Sequence, residues 1–96
     1  MKRTLASERD GFVYFLRRGD DAVKIGWSVD PNERTAWIYR VEDDSVELVA
    51  LFPARRFVEY ELHQRFERDR VDGEWFRSTP HLEGAVQLVQ ILWGMP

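Results

Sequence analysis

The chain contains no cysteine, so it has no disulfide framework, no thiolate nucleophile and no cysteine-based zinc site. Its two histidines, His63 and His81, are spaced too widely for a local two-histidine metal motif. No apolar stretch approaches the roughly 18 residues of a membrane span, and residues 1–10 lack the apolar centre of a signal peptide. A soluble protein of the cytoplasm, with no membrane partner, is expected. A basic excess is missing as well: 14 Lys and Arg face 17 Asp and Glu, for a formal net charge of −3. Four of those acids, Glu42, Asp43, Asp44 and Glu47, crowd into one short stretch, and without them the chain is about +1. Lysine is nearly absent. Twelve of the fourteen cations are Arg, whose planar fork suits phosphate.

What is present is enough for one modest core. The 96 residues are 44% hydrophobic and 14% aromatic, which is the composition of a folded domain. Residues 1–10 are polar and expected to be flexible, leaving 11–96 as a single domain. Segment 11–16 is β-branched and aromatic, and 17–21 reads as a turn. Segment 22–27 alternates, with Val23, Ile25 and Trp27 on one face and Lys24 and Gly26 on the other, so 11–27 reads as a β-hairpin. Asp30 and Pro31 open a helix to about residue 40. After an acidic loop at 42–45, a third strand occupies 46–52 and ends at Pro53. Val58, Leu62 and Phe66 give 55–69 a helical period. Segment 71–73 is a turn, 74–76 a short extended piece, and Thr79 with Pro80 starts a last helix to about residue 93. The order β-β-α-β-α-(β)-α defines a small α+β sheet covered by helices.

Singly, the polar residues of these elements have ordinary readings. Tyr14 is a half-buried strand tyrosine, Lys24 a solvent-facing strand position, Arg34 a solvated helix charge and Glu74 a turn carboxylate. His63, four residues after Glu59, makes a helix-surface pair. Their order carries more. Phe12-Val13-Tyr14, Lys24-Ile25-Gly26, Arg34 early in a helix, Glu59-x-x-Leu62-His63-x-x-Phe66 and Gly73-Glu74-Trp75-Phe76 together resemble the GIY-YIG nuclease superfamily. The likeness is to its compact, phage-associated, Orf172-like branch, and runs from about residue 11 to 76, less distinctly into the last helix.

The resemblance implies a three-stranded antiparallel sheet flanked by helices and metal-dependent cleavage of DNA phosphodiesters. It implies that Tyr14 is the tyrosine of the first motif, a candidate general base or nucleophile-positioning group, that Lys24 stands in place of the second motif's tyrosine, and that Arg34 contacts the scissile phosphate. It further implies that His63 is a histidine of this branch, and that Glu74 holds a single divalent ion, Mg²⁺ or Mn²⁺. The match departs from the family at Phe12, which replaces a glycine, and in having no asparagine but Asn32.

The chemistry fits in its own terms. In-line attack on a phosphodiester builds negative charge that one ion on one carboxylate can offset, Arg34 can fork onto the phosphate, and His63 can exchange a proton at neutral pH. Free phenol titrates near 10, so Tyr14 as base needs a neighbouring cation, and Lys24 is the one available. Lys24 is the other candidate base. A two-residue loop at Gly19-Asp20 pairs Tyr14 with Ile25 and sends Lys24 to the opposite face; a three- or five-residue loop, or a bulge, puts Tyr14 and Lys24 together. The second arrangement is expected.

Phosphate contacts are assigned to Arg17, Arg18, Arg55, Arg56, Arg65, Arg68, Arg70 and Arg77, although six Arg against six acids in 54–77 also suit solvated ion pairs. Trp27, Trp75 and Trp93 are read as core. A chain this small has no recognition module of its own, so a homodimer, a partner or a fused domain is expected to supply specificity. Two other readings compete: a DNA-binding module that does not cleave, and a protein-interaction domain using Trp37 and Tyr39. The residues do not separate DNA from RNA.

Overall fold

The computed structural model describes residues 10–33 and 46–94. The β-branched and aromatic runs form β1 (Asp10–Arg18), β2 (Ala22–Ser28) and β3 (Val46–Arg55). Helix α1 (Arg56–Arg65) follows directly, then a 3-10 turn (Glu67–Asp69), β4 (Arg70–Asp72), β5 (Trp75–Arg77) and helix α2 (Pro80–Trp93). The strands form one sheet in the order β3-β1-β2-β5-β4, every neighbouring pair antiparallel. The α+β class stands, but the expected three-stranded sheet is corrected to five strands. The additional pair is a hairpin turning at Gly73, whose φ of +56° favours glycine, and it extends the sheet from the edge of β2. Strands of three residues are too short to display a two-residue period, so sequence pattern showed only an extended piece there.

The β1–β2 loop has three residues, 19–21, with Gly19 at φ +57°. Tyr14 accordingly pairs with Gly26, and Leu16 with Lys24. Tyr14 and Lys24 share a sheet face, as the loop-parity argument expects. That face carries a small buried cluster of Tyr14, Leu16, Ala22, Val46 and Trp75. The main core lies on the other face, where Val13, Phe15, Val23, Ile25 and Phe76 pack with Phe66, Leu82 and Val86. A bulge in β3, where Phe15 faces Ala50 but Leu16 faces Leu48, brings both Val49 and Ala50 into this core.

Several boundaries differ from expectation. β3 continues through Pro53 to Arg55, because it is an edge strand paired to β1 and can spare one N–H. Helix α1 ends at Arg65, four residues early: Phe66 leaves helical geometry at φ −106° and buries its ring. Trp27 and Trp75 pack as expected, whereas Trp93, last in α2, remains half-exposed with its ring 5.4 Å from Phe52. The helix begun at Asp30 is seen over residues 31–33, with Glu33 N–H donating to Asp30 Oδ1 at 3.1 Å. The rest of the expected helix, with Arg34, Trp37 and Tyr39, and the expected loop at 42–45 fall outside the described residues. Among the described residues no helix is long and apolar enough to cross a membrane.

Helix α2 starts where the sequence places it. Thr79 Oγ1 accepts from Leu82 N–H at 3.1 Å, and Pro80 occupies the first helical position. Thr79→Ala is expected to lower stability by about 1 kcal/mol, read as a shifted urea midpoint with an unchanged slope.

Candidate active site

The site forms where β5 stops. β5 pairs with β2 only from Ala22 to Lys24, so the edge of β2 beyond Lys24 is open to other groups. Ile25 uses both of its backbone polar groups there. Its N–H donates to the Glu74 carbonyl at 3.0 Å, and its carbonyl accepts from His63 Nε2 at 2.8 Å. One residue thereby docks the β4–β5 turn and helix α1 on the same strand edge. A proton on Nε2, the tautomer this carbonyl requires, leaves the Nδ1 lone pair for a proton or a metal.

Glu59 and His63, four residues apart on one face of α1, converge with Glu74 from the turn. One ligand atom from each lies within 4.8 Å of the other two. Glu59 is only 8% exposed, and with Glu74 it lines a cavity of about 210 Å³ that Tyr14, Trp27, Ser28, Val29 and Arg56 complete.

Cations flank both carboxylates. Lys24 Nζ lies 3.8 Å from Glu74 Oε1, and Arg56 Nε 4.0 Å from Glu59 Oε1. Trp75 and Trp27 support these cations, with ring centroids 5.5 Å from Lys24 Nζ and 5.8 Å from the Arg56 guanidinium carbon. Trp27 is itself fixed, its indole N–H donating to the Ala54 carbonyl at 2.8 Å. Tyr14 reaches the cavity because its ring crosses Gly26. A Cβ on Gly26 would stand 2.3 Å from Tyr14 Cζ and 2.4 Å from its hydroxyl oxygen.

Of the five residues singled out by motif, Tyr14, Lys24, His63 and Glu74 surround this region, while Arg34 lies outside the described residues. Glu59 is the residue that sequence reasoning missed. Its spacing from His63 suits a surface pair, yet Glu59, Leu62 and Phe66 follow an i, i+3, i+7 spacing. A carboxylate in that apolar stripe was the available signal. The arginines assigned to phosphate divide into two groups. Arg17 is paired with Glu83, Arg55 with Asp10, Arg56 with Glu59 and Arg70 with Glu67, and Arg18 stacks 4.3 Å over Trp75. Arg65, Arg68 and Arg77 have no carboxylate partner among the described residues.

These elements define an α+β domain with a mixed carboxylate and imidazole cluster at the open edge of its sheet. The chain belongs to the T5orf172 domain family, whose family model matches residues 11–92. No curated protein and no solved structure is matched by the chain.

Proposed function

We propose that the protein is a metal-dependent DNA endonuclease of the GIY-YIG type, hydrolysing phosphodiester bonds at a one-metal site. The observation that carries this reading is the convergence of Glu59, His63 and Glu74 beside Tyr14. Membership of the T5orf172 domain family supports a nuclease-like or DNA-binding role.

The donor set fits a divalent cation. Two carboxylates supply hard oxygens, and an imidazole with Nε2 tied to a carbonyl resembles the outer-shell arrangement that orients metal-binding histidines. Glu59, His63 and Glu74 would hold the ion, and the imidazole makes Mn²⁺ a better match than Mg²⁺. When bound, the cation offsets negative charge developing on the phosphate and leaving oxygens. Tyr14 orients the attacking water and, as the phenolate that the positive charge of Lys24 on the same face favours, takes its proton to become the neutral phenol. Arg34 is assigned to the scissile phosphate by its place in the motif order. Specificity is left to a second copy, a partner or a fused module.

A DNA-binding module that does not cleave has less support, because it leaves the convergence of Glu59, His63 and Glu74 beside Tyr14 without a role. Plasmid incubation separates the readings. Nicking should require added divalent metal, run at lower Mn²⁺ than Mg²⁺ concentration, stop with EDTA, and fall about 10- to 10²-fold in Glu74→Ala. Salt-sensitive retention of DNA with no nicking would favour the binding module instead.

A further inference from the structure

Arg70 occupies the first position of β4, and every nitrogen of its guanidinium is engaged. Nε lies 3.0 and 3.2 Å from the two carboxylate oxygens of Glu67, and Nη2 lies 2.9 Å from one of them. Nη1 donates to the carbonyl of Gly73, the residue immediately before Glu74. The guanidinium carbon also sits 4.9 Å from the ring centroid of Phe76, which is fully buried. The His63 ring rests on that same phenylalanine, at a centroid separation of 5.1 Å and a tilt of 50°. One side chain therefore reaches towards two of the three clustered ligands by separate routes: through the turn backbone to Glu74, and through a buried ring to His63.

We infer that Arg70 is a positioning residue of the site, clamping the β4–β5 turn and bracing Phe76 so that Glu74 and His63 are pre-set for a cation. The inference rests on the metal-site reading above. It also turns Arg70 inward and away from DNA, since each nitrogen of its guanidinium already has a partner inside the protein. The clamp is robust to pH. Hydrogen bonds from Arg70 hold the Glu67 carboxyl below the usual glutamate range and raise the guanidinium itself. A depressed carboxyl contributes above its ordinary range and is lost only as pH falls through the lowered value. Neutral and mildly alkaline conditions leave the pair ionised.

The experiment uses the full chain and three variants, with Mn²⁺ binding followed by calorimetry and amide hydrogen exchange followed at residues 73–75. Arg70→Gln is expected to bind Mn²⁺ about tenfold more weakly, by the same factor at pH 7 and pH 8. It should exchange faster at those amides, and nick plasmid at close to the wild-type rate once Mn²⁺ saturates. Arg70→Lys keeps the charge but cannot span both acceptors, so it should follow Arg70→Gln. Glu67→Gln retains the Gly73 bond and should lose less than either. Wild-type Mn²⁺ affinity and unchanged exchange in Arg70→Gln, or an Arg70→Lys protein indistinguishable from wild type, would overturn the clamp. A wild type that binds no Mn²⁺ instead removes the metal reading. The exchange rates at 73–75 then decide the clamp alone, and unaltered rates in Arg70→Gln sink it.

Discussion

A Glu59→Gln protein is expected to fold normally and to lose metal-dependent nicking by roughly 10²–10³-fold. The substitution preserves shape and removes one negative charge from a buried position where Glu59, His63 and Glu74 crowd together. Relief of repulsion between Glu59 and Glu74 offsets part of what the lost carboxylate contacts cost, so the melting temperature without metal should stay close to that of the wild type. Arg56 loses an ionic partner, but that guanidinium is more than half exposed and such a pair contributes little. What disappears is the differential with metal. Mn²⁺ should raise the wild-type melting temperature through linkage and leave Glu59→Gln nearly unmoved. The effect should exceed that of Glu74→Ala because the Glu74 side chain is 42% exposed, and a charge in wetter surroundings acts more weakly on an ion. Wild-type nicking by Glu59→Gln would show that the cluster is an ion-pair network of the fold.

Some of this site could be read from the chain before any coordinates. The parity of the β1–β2 loop is a local property, so requiring Tyr14 and Lys24 on one face restricts the hairpin to a three- or five-residue loop or a bulge, and the three-residue loop is the one found. The last helix was equally local, since Thr79 and Pro80 combine a capping side chain with a fixed φ. The placement of Glu59 was not local. Whether a helical carboxylate faces water or a neighbouring strand depends on which face the helix buries; spacing alone pairs Glu59 with His63 on the surface, and the motif order assigns only His63 to the site. The partners of the arginines are non-local for a related reason. Arg17 finds Glu83 across 66 positions of sequence, a pairing set by the docking of α2 and invisible to spacing. The β4–β5 hairpin escaped because it stabilises itself through Arg70 and the edge of β2, and hardly through a pattern of its own.

Gly26→Ala tests the other half of the site, the seat of Tyr14, and is expected to damage both stability and activity. Gly26 has an ordinary negative φ, so the obstacle to alanine is space and not backbone conformation. The new methyl would fall 2.3 Å from Tyr14 Cζ, 2.4 Å from its hydroxyl oxygen and 2.8 Å from Cε1, distances at which the ring must move. Tyr14 is 1% exposed and packed with Leu16 and Trp75, so that movement strains a filled cluster. Overpacking of this kind costs about 1–3 kcal/mol, measurable by urea unfolding. If Tyr14 has the role proposed for it, a displacement near 1 Å costs about 10² in rate, measurable as nicking at saturating Mn²⁺. Gly84→Ala is the matched control. Nothing lies within 4 Å of a Cβ at that exposed position of α2, so the same change should stabilise by about 1 kcal/mol through helix propensity and leave nicking untouched. Placing Gly26→Ala in a Tyr14→Phe background separates ring from hydroxyl: the contact with Cζ persists, so the stability loss should persist, while little activity remains to lose. Wild-type nicking by Gly26→Ala, despite its measured strain, would show that the Tyr14 hydroxyl has no part in the chemistry.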